Sequence, residues 1–386
     1  MKTSHEFELQ EELRASAPAK SAPRKSGRAR SIRSRIFGYF LLITLLPIIG
    51  IGFYSYYSFR QTLTQKIAQY SLENLTPTVV NIQLKLTEFE NISVRLFINK
   101  EFNNALSGYI AAQDAALAAQ AKGEIESYFN EYMIVNKDLY AFMFIPDAGP
   151  PLVVCKDDYP DFLDLTHRFK ETSPYRNIRK AGGGIVWSSS IKLHLSHYVV
   201  LGRQINKMGT GESLGVLAIF VDEEQIDQLA NLNVYKQLNI SFGDLENYDL
   251  IIDSNGEIVS TPFKNDIGAN VSKIMKDAKP LGKILENTVS DRDYGAEINQ
   301  GSFITEVNRK QTLVTYKTIG SKIGVGGKSG WHLLNFTPTS HIYAKPNEVG
   351  YVTIILGVMT AIFTLVGVGF SIRLCERNIH KHTNNS

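Results

Sequence analysis

Chemistry needs particular side chains at particular spacings, and few stretches of this 386-residue chain come near to supplying them. Gly324-Val325-Gly326-Gly327-Lys328-Ser329 has the glycines and the Lys-Ser pair of a phosphate-cradling loop. That motif also needs a glycine five residues before Gly327, where the chain has Lys322, so the segment reads as a plain loop. Asp253-Ser254-Asn255-Gly256 opens like a calcium loop but lacks the later acidic ligands, which favours a hairpin turn. His194 and His197 stand three apart without an evident third ligand, so no metal site is expected. No Ser-His-Asp or paired-carboxylate arrangement emerges from spacing. Cys155 reads as a small, buried apolar residue and not as a reactive thiol. The expectation is a protein that is not an enzyme, with no catalytic residue and no cofactor.

The elements around these stretches are clearer. Ile36–Phe59 and Val349–Ile372 are uncharged runs closed by charged residues. At about 1.5 Å per residue each reaches about 36 Å as a helix, enough to cross a hydrocarbon core of about 30 Å. Arg24, Lys25, Arg28, Arg30, Arg33 and Arg35 precede the first run, and Arg373, Arg377 and Lys381 follow the second. Positive residues stay in the cytoplasm, so both termini are expected inside and residues 60–348 outside. Phe53, Tyr54, Tyr56, Tyr57 and Phe59 fit an outer interfacial belt. The first run is expected to stay as an anchor, since Tyr56-Tyr57-Ser58 is a poor cleavage site. The formal net charge of +3 comes from the ends, because residues 60–348 carry 29 basic and 33 acidic side chains. A nucleic-acid partner is therefore excluded, whereas membrane lipids are expected partners of the basic, disordered leader 1–35. On this topology Cys155 and Cys375 lie on opposite sides of the membrane and cannot pair.

Beyond the first span, Leu63, Ile67, Tyr70, Leu75, Val79, Ile82, Leu86, Phe89 and Leu96 recur at helical steps, predicting a long amphipathic helix over 60–108 that Pro77 bends or divides. A second helical stretch follows from about Tyr109 to Tyr132. The period then changes to two. Strands are predicted over 139–145, 152–155, 184–189, 197–205 and 214–221, with a helical segment over 161–179 and a helix 223–230 capped by Asp222. A shorter version of that plan repeats, with strands over 248–253, 257–260, 303–308, 312–318 and 331–336 and a helical segment over 271–285. The fold class is α+β: two tandem PAS-like antiparallel-sheet modules on a long N-terminal helix, flanked by two transmembrane helices. The modules are bounded as 109–235, membrane-distal, and 236–345, membrane-proximal, and a short tail, 373–386, follows the second span.

This order of parts resembles the double Cache sensory domain of bacterial chemoreceptors and sensor histidine kinases. The resemblance rests on Leu214-Gly215-Val216-Leu217-Ala218-Ile219 with Asp222, on Ile251-Ile252-Asp253-Ser254-Asn255-Gly256-Glu257-Ile258-Val259, and on Gly330-Trp331-His332-Leu333-Leu334 with Thr337-Pro338. It implies ligand binding in the distal module, where Tyr175, Arg176, Trp187, Tyr198 and Arg203 are the candidate residues. An arginine beside aromatics suits a ligand bearing a carboxylate. The amino-acid signature of the family is not cleanly reproduced, because Asn177-Ile178 follows Arg176. Arg377-Asn378-Ile379-His380-Lys381 resembles the opening of a HAMP linker, yet the sequence ends at Ser386, so no kinase is expected in this polypeptide, and His380 and His382 are not read as phosphoacceptors. The functional expectation is extracytoplasmic sensing of a small molecule and signal input to a two-component-type system. The output would come from a homodimer or from association with a full-length sensor kinase. A truncated non-signalling remnant and a membrane-anchored surface enzyme are the alternatives.

Overall fold

The computed structural model describes residues 32–157, 160–232, 247–276, 300–320 and 330–340, with isolated positions in 280–285, Ile342–Tyr343 and most of 351–373. The chain divides into two compact units, Met1–Ser58 with Asn347–Ser386, and Phe59–Pro346.

In the first of these units the apolar side chains face outward: Tyr39, Ile43, Ile51 and Phe53 are exposed on one segment, and Ile354, Phe363 and Val366 on the other. Among the described residues one helix is long and apolar enough to cross a membrane, and it lies within Gly38–Ile98. The second expected span is represented by the shorter apolar helix Ile354–Thr364, and part of 349–372 lies outside the described residues.

The second unit is organised by the part of helix α1 (Ile32–Ile98) that follows Ser58. Leu75, Val79, Ile82, Leu86, Phe89, Ile92 and Leu96 form its buried stripe, one residue every three or four positions. Tyr70, which spacing puts on that stripe, is 65% exposed, and Leu72 packs against the core instead. Pro77 neither ends nor divides the helix. Its ring is exposed, so the hydrogen bond it removes is lost on the solvent side while the opposite face stays packed. The expected stretch 109–132 is in fact two helices, α2 (Lys100–Ala111) and α3 (Ala115–Val135). Asn99 caps the first by accepting from Phe102 N at 3.0 Å, and Asp114 caps the second by accepting from Ala116 N at 3.1 Å.

Five strands follow: β1 (Leu139–Pro146), β2 (Leu152–Cys155), β3 (Val186–Leu193), β4 (Ser196–Asn206) and β5 (Ser213–Asp222). Between β2 and β3 run α4 (Pro160–Arg168), a 3-10 turn and α5 (Ser173–Lys180), and after β5 comes α6 (Glu223–Ala230). Asp222 accepts from Glu224 N at 3.1 Å, the expected cap. The sheet is antiparallel in the order β2-β1-β5-β4-β3. The second module has β6 (Tyr248–Ile252), β7 (Ile258–Ser260), β8 (Gln300–Val307), β9 (Lys310–Ile319) and β10 (Trp331–Pro338), in the equivalent order β7-β6-β10-β9-β8. Asp253 Oδ1 accepts from Asn255 N and Glu257 N, both at 2.8 Å, and Gly256 has φ 78°, so the 253–256 run is a hairpin turn. Within the expected 271–285 helix the described residues form the 3-10 turn Val271–Lys273, and the isolated positions Pro280, Gly282 and Leu285 are helical. Segments 321–329 and 374–386, which hold the glycine-rich loop, Cys375, His380 and His382, lie outside the described residues.

Both sheets put one face on α1. Phe142, Phe144, Trp187, Leu201 and Leu217 of the first and Ile251, Val259, Trp331 and Leu333 of the second join Phe89 in one core. The outer faces carry separate cores. On the second sheet's outer face His332 is fully buried, with Nδ1 at 3.1 Å from Thr318 Oγ1, and burial pushes its pKa down to about 4. As pH falls from about 6.5 towards 4 the unfolded chain takes a proton that the folded chain refuses, so stability is lost in that window, by up to about 3 kcal/mol. His332→Gln is expected to remove this loss. Urea unfolding of wild type and variant at pH 7 and pH 5 checks it, and parallel pH dependences would refute it.

Candidate functional site

The outer face of the first sheet holds a dense aromatic group. α4 and α5 lie over it and bring Phe162 and Tyr175 towards Tyr140, Tyr198 and Phe220. The Tyr140 and Tyr198 ring centroids are 4.5 Å apart, Phe162 lies 5.4 Å from Tyr140 and 5.5 Å from Tyr198, and Phe162 meets Phe220 edge-on at 5.2 Å. Phe169 extends the layer, 6.0 Å from both Tyr175 and Phe220. One edge is polar. Tyr140 Oη donates to Asp157 Oδ2 at 3.3 Å, and Cys155 Sγ lies 3.0 Å from Asp157 O. Tyr198 pairs with Asp222 across β4 and β5, and burial pushes the Asp222 carboxyl up. Lys156, between Cys155 and Asp157, turns its ammonium to Lys137 O. Ring faces bury an apolar body and attract a cation, and the edge carboxylates would accept hydrogen bonds from an amine.

Four of the five residues singled out from sequence divide between the two faces of the sheet, and the fifth, Arg176, is exposed on α5. Tyr198 and Tyr175 belong to the aromatic layer. Trp187 lies on the α1 face, where Nε1 donates to Glu90 Oε1 at 2.9 Å and its ring sits 5.6 Å from that of Trp331. Arg203 is on that same face, with Nε donating to Gly183 O at 2.9 Å and its guanidinium 4.1 Å above the Phe97 ring. Arg176 is exposed and tied locally to Glu171 O and Ser173 Oγ. The arginines and the tyrosines therefore do not line one cavity, because Arg203 and Tyr198 lie an odd number of residues apart on β4 and point to opposite faces. Sequence reasoning missed Tyr140, Phe162 and Asp157. A register shift between Leu139 and Ala141 puts Tyr140 against the same core as Ala141, which simple alternation forbids. His194, at φ 53°, occupies the β3–β4 turn and is exposed.

No family model matches this chain, and no curated protein matches it. Among solved structures it is similar to the ligand-binding domain of the Pseudomonas aeruginosa amino acid chemoreceptor PctB in complex with L-Arg, at 13% identity over 72% of this chain and 98% of that one, with a TM-score of 0.44. It is similar also to the ligand-binding domain of the Pseudomonas fluorescens chemoreceptor CtaA in complex with L-isoleucine, at 14% identity over 74% and 98% of the two chains and a TM-score of 0.44. The ligand-binding domain of Mlp24 with asparagine is a third, at 12% identity over 76% and 99%, with a TM-score of 0.43.

Proposed function

We propose that this chain is a membrane-anchored sensor of the double Cache type that binds a small molecule in its first, membrane-distal module. The observation that carries this reading is the aromatic layer between the first sheet and α4–α5, with its carboxylate edge at Asp157 and Asp222. The rings would hold the apolar part of the ligand, and the edge favours an amine-bearing group over the carboxylate that Arg176 and Arg203 were expected to read. The charge pattern supports two spans with both termini cytoplasmic and residues 60–348 outside. Binding that favours one position of α4–α5 on the sheet would move β4 and β5, and the shared helix α1 offers the route towards the membrane. The output partner, a second copy or a sensor kinase, belongs to this same reading.

Thermal unfolding of the full chain in detergent, against a panel of amines, amino acids, carboxylates and sugars, tests the proposal. An amine-bearing compound at a hundred times its Kd is expected to raise Tm by about 5 °C. Asp157→Asn with Tyr140→Phe is expected to weaken that compound about tenfold. A panel in which no class shifts Tm would sink the ligand reading.

A further inference from the structure

A continuous chain of polar side chains leads from α6, the last helix of the first module, through the second module to α1. Lys264 donates to Glu223 Oε2 and to Asp227 Oδ2, both at 2.7 Å. Glu223 is 1% exposed and Asp227 0%. Glu223 Oε1 also accepts from Thr261 N at 3.2 Å. Asn231 Nδ2 donates to Asp227 Oδ1 at 2.8 Å and to Asp249 O at 2.9 Å, and Asn231 Oδ1 accepts from Asp249 N at 2.7 Å. Asn335 Nδ2 donates to Asp249 Oδ1 at 2.7 Å. Ser71 of α1 closes the chain, with Oγ donating to Asn335 Oδ1 at 3.2 Å and lying 2.6 Å from Thr315 Oγ1.

Such a chain transmits position because each member is held from both sides, and a charge change inside it moves its neighbours. Several charged groups surround it. Asp222 caps α6, Asp266 lies near Tyr248 on the second module, and His197 faces Lys192 and Lys264 from the first sheet. Lys264 is the cation bonded to Glu223 among the described residues. Asp249 sits next to Asp227 with Asn335 as its neutral donor.

We propose that this relay is a proton-sensitive latch between the two modules, closed when Glu223 and Asp249 carry protons and loosened when their loss gathers negative charge around Asp227. Proton occupancy is thus a second input, independent of any ligand in the aromatic layer. Burial pushes Glu223 up to about 7 against the pull of Lys264. Asp249 keeps some exposure as a residue, yet burial of its carboxyl pushes it up to about 7 as well. Both groups therefore change charge near neutrality.

The junction carries its own reporter. The chain has two tryptophans, Trp187 on the first module and Trp331 on the second, and their rings are 5.6 Å apart. Ser190 Oγ donates to Val259 O at 2.8 Å beside them. Intrinsic fluorescence of the full chain in detergent, titrated from pH 5.5 to 8.5, is expected to show one shift in emission with a midpoint near 7. Glu223→Gln with Asp249→Asn is expected to abolish the shift. Glu90→Gln, which alters the group bonded to Trp187, is expected to keep it. His332 titrates below this window. A flat wild-type titration, a shift that survives in the double variant, or one lost in Glu90→Gln alone overturns the proposal.

Discussion

Gly215→Ala is expected to destabilise the unit Phe59–Pro346 by about 3 kcal/mol or more, lowering Tm by about 6 °C or more. Gly215 has φ 152°, in the region that side chains rarely enter. A Cβ there would stand 2.4 Å from Ile145 O and 2.7 Å from Pro146 Cα. Both atoms are backbone, and β1 is held between β2 and β5, so neither can step aside without opening the ladder. β5 is also the central strand, buried along nearly its whole length, so the strain falls on the element that the rest of the sheet pairs with. Gly149→Ala is the control: its φ is 100°, but nothing lies within 4 Å of the added carbon, and about 1 kcal/mol is expected. Gly202→Ala should fall between them, since its Cβ meets the flexible Ile178 side chain at 1.9 Å. Thermal unfolding of the full chain in detergent ranks the three, and equal Tm values for Gly215→Ala and Gly149→Ala would contradict the close approach of β5 to β1.

The same strand shows what a single sequence can and cannot tell. The runs at 139–145, 197–205 and 214–221 announce strands because apolar, β-branched and aromatic residues cluster between turn residues. Where those strands are buried on both faces the alternation disappears. Nothing in the sequence then says that Trp187 and Arg203 face α1 while Tyr198 faces α4. Tyr140 is a further step removed, because a register shift reverses its side. Helix boundaries failed for a related reason. The stripe on α1 was legible, but Pro77 is tolerated because of which face it occupies, a fact about packing and not about propensity. The polar relay was missed because its members come from six separate stretches between Ser71 and Asn335. One local signal was available. Glu223 and Asp227 sit four apart on a helix whose Ile226 and Ala230 mark the same side as buried, and two like charges there need an outside partner.

That partner supplies the second large effect. Lys264→Met is expected to cost about 3 kcal/mol at pH 8.5, because it leaves Glu223 and Asp227 buried without their ammonium. The figure is at the low end of the range for broken buried pairs, since the Lys264 side chain is 37% exposed and solvent screens part of the attraction. Burial pulls Lys264 down, but attraction from Glu223 and Asp227 outweighs it and the pKa is raised, so the lysine stays charged throughout the neutral range. The sign of the pH dependence follows from Glu223. Its folded pKa, about 7, lies above the ordinary 4.5, so the unfolded chain releases the proton first and folded stability falls as pH climbs between the two values. Removing Lys264 raises the folded pKa further and extends that fall to higher pH. The gap between wild type and Lys264→Met should therefore be about 1 kcal/mol at pH 6 and widen to about 3 at pH 8.5. Urea unfolding of the full chain at the two pH values measures it. A gap that stays constant would mean that the ammonium does not compensate a titrating carboxylate. Adding Glu223→Gln to Lys264→Met should restore much of the loss at pH 8.5, because a neutral amide on α6 no longer needs a cation across the junction.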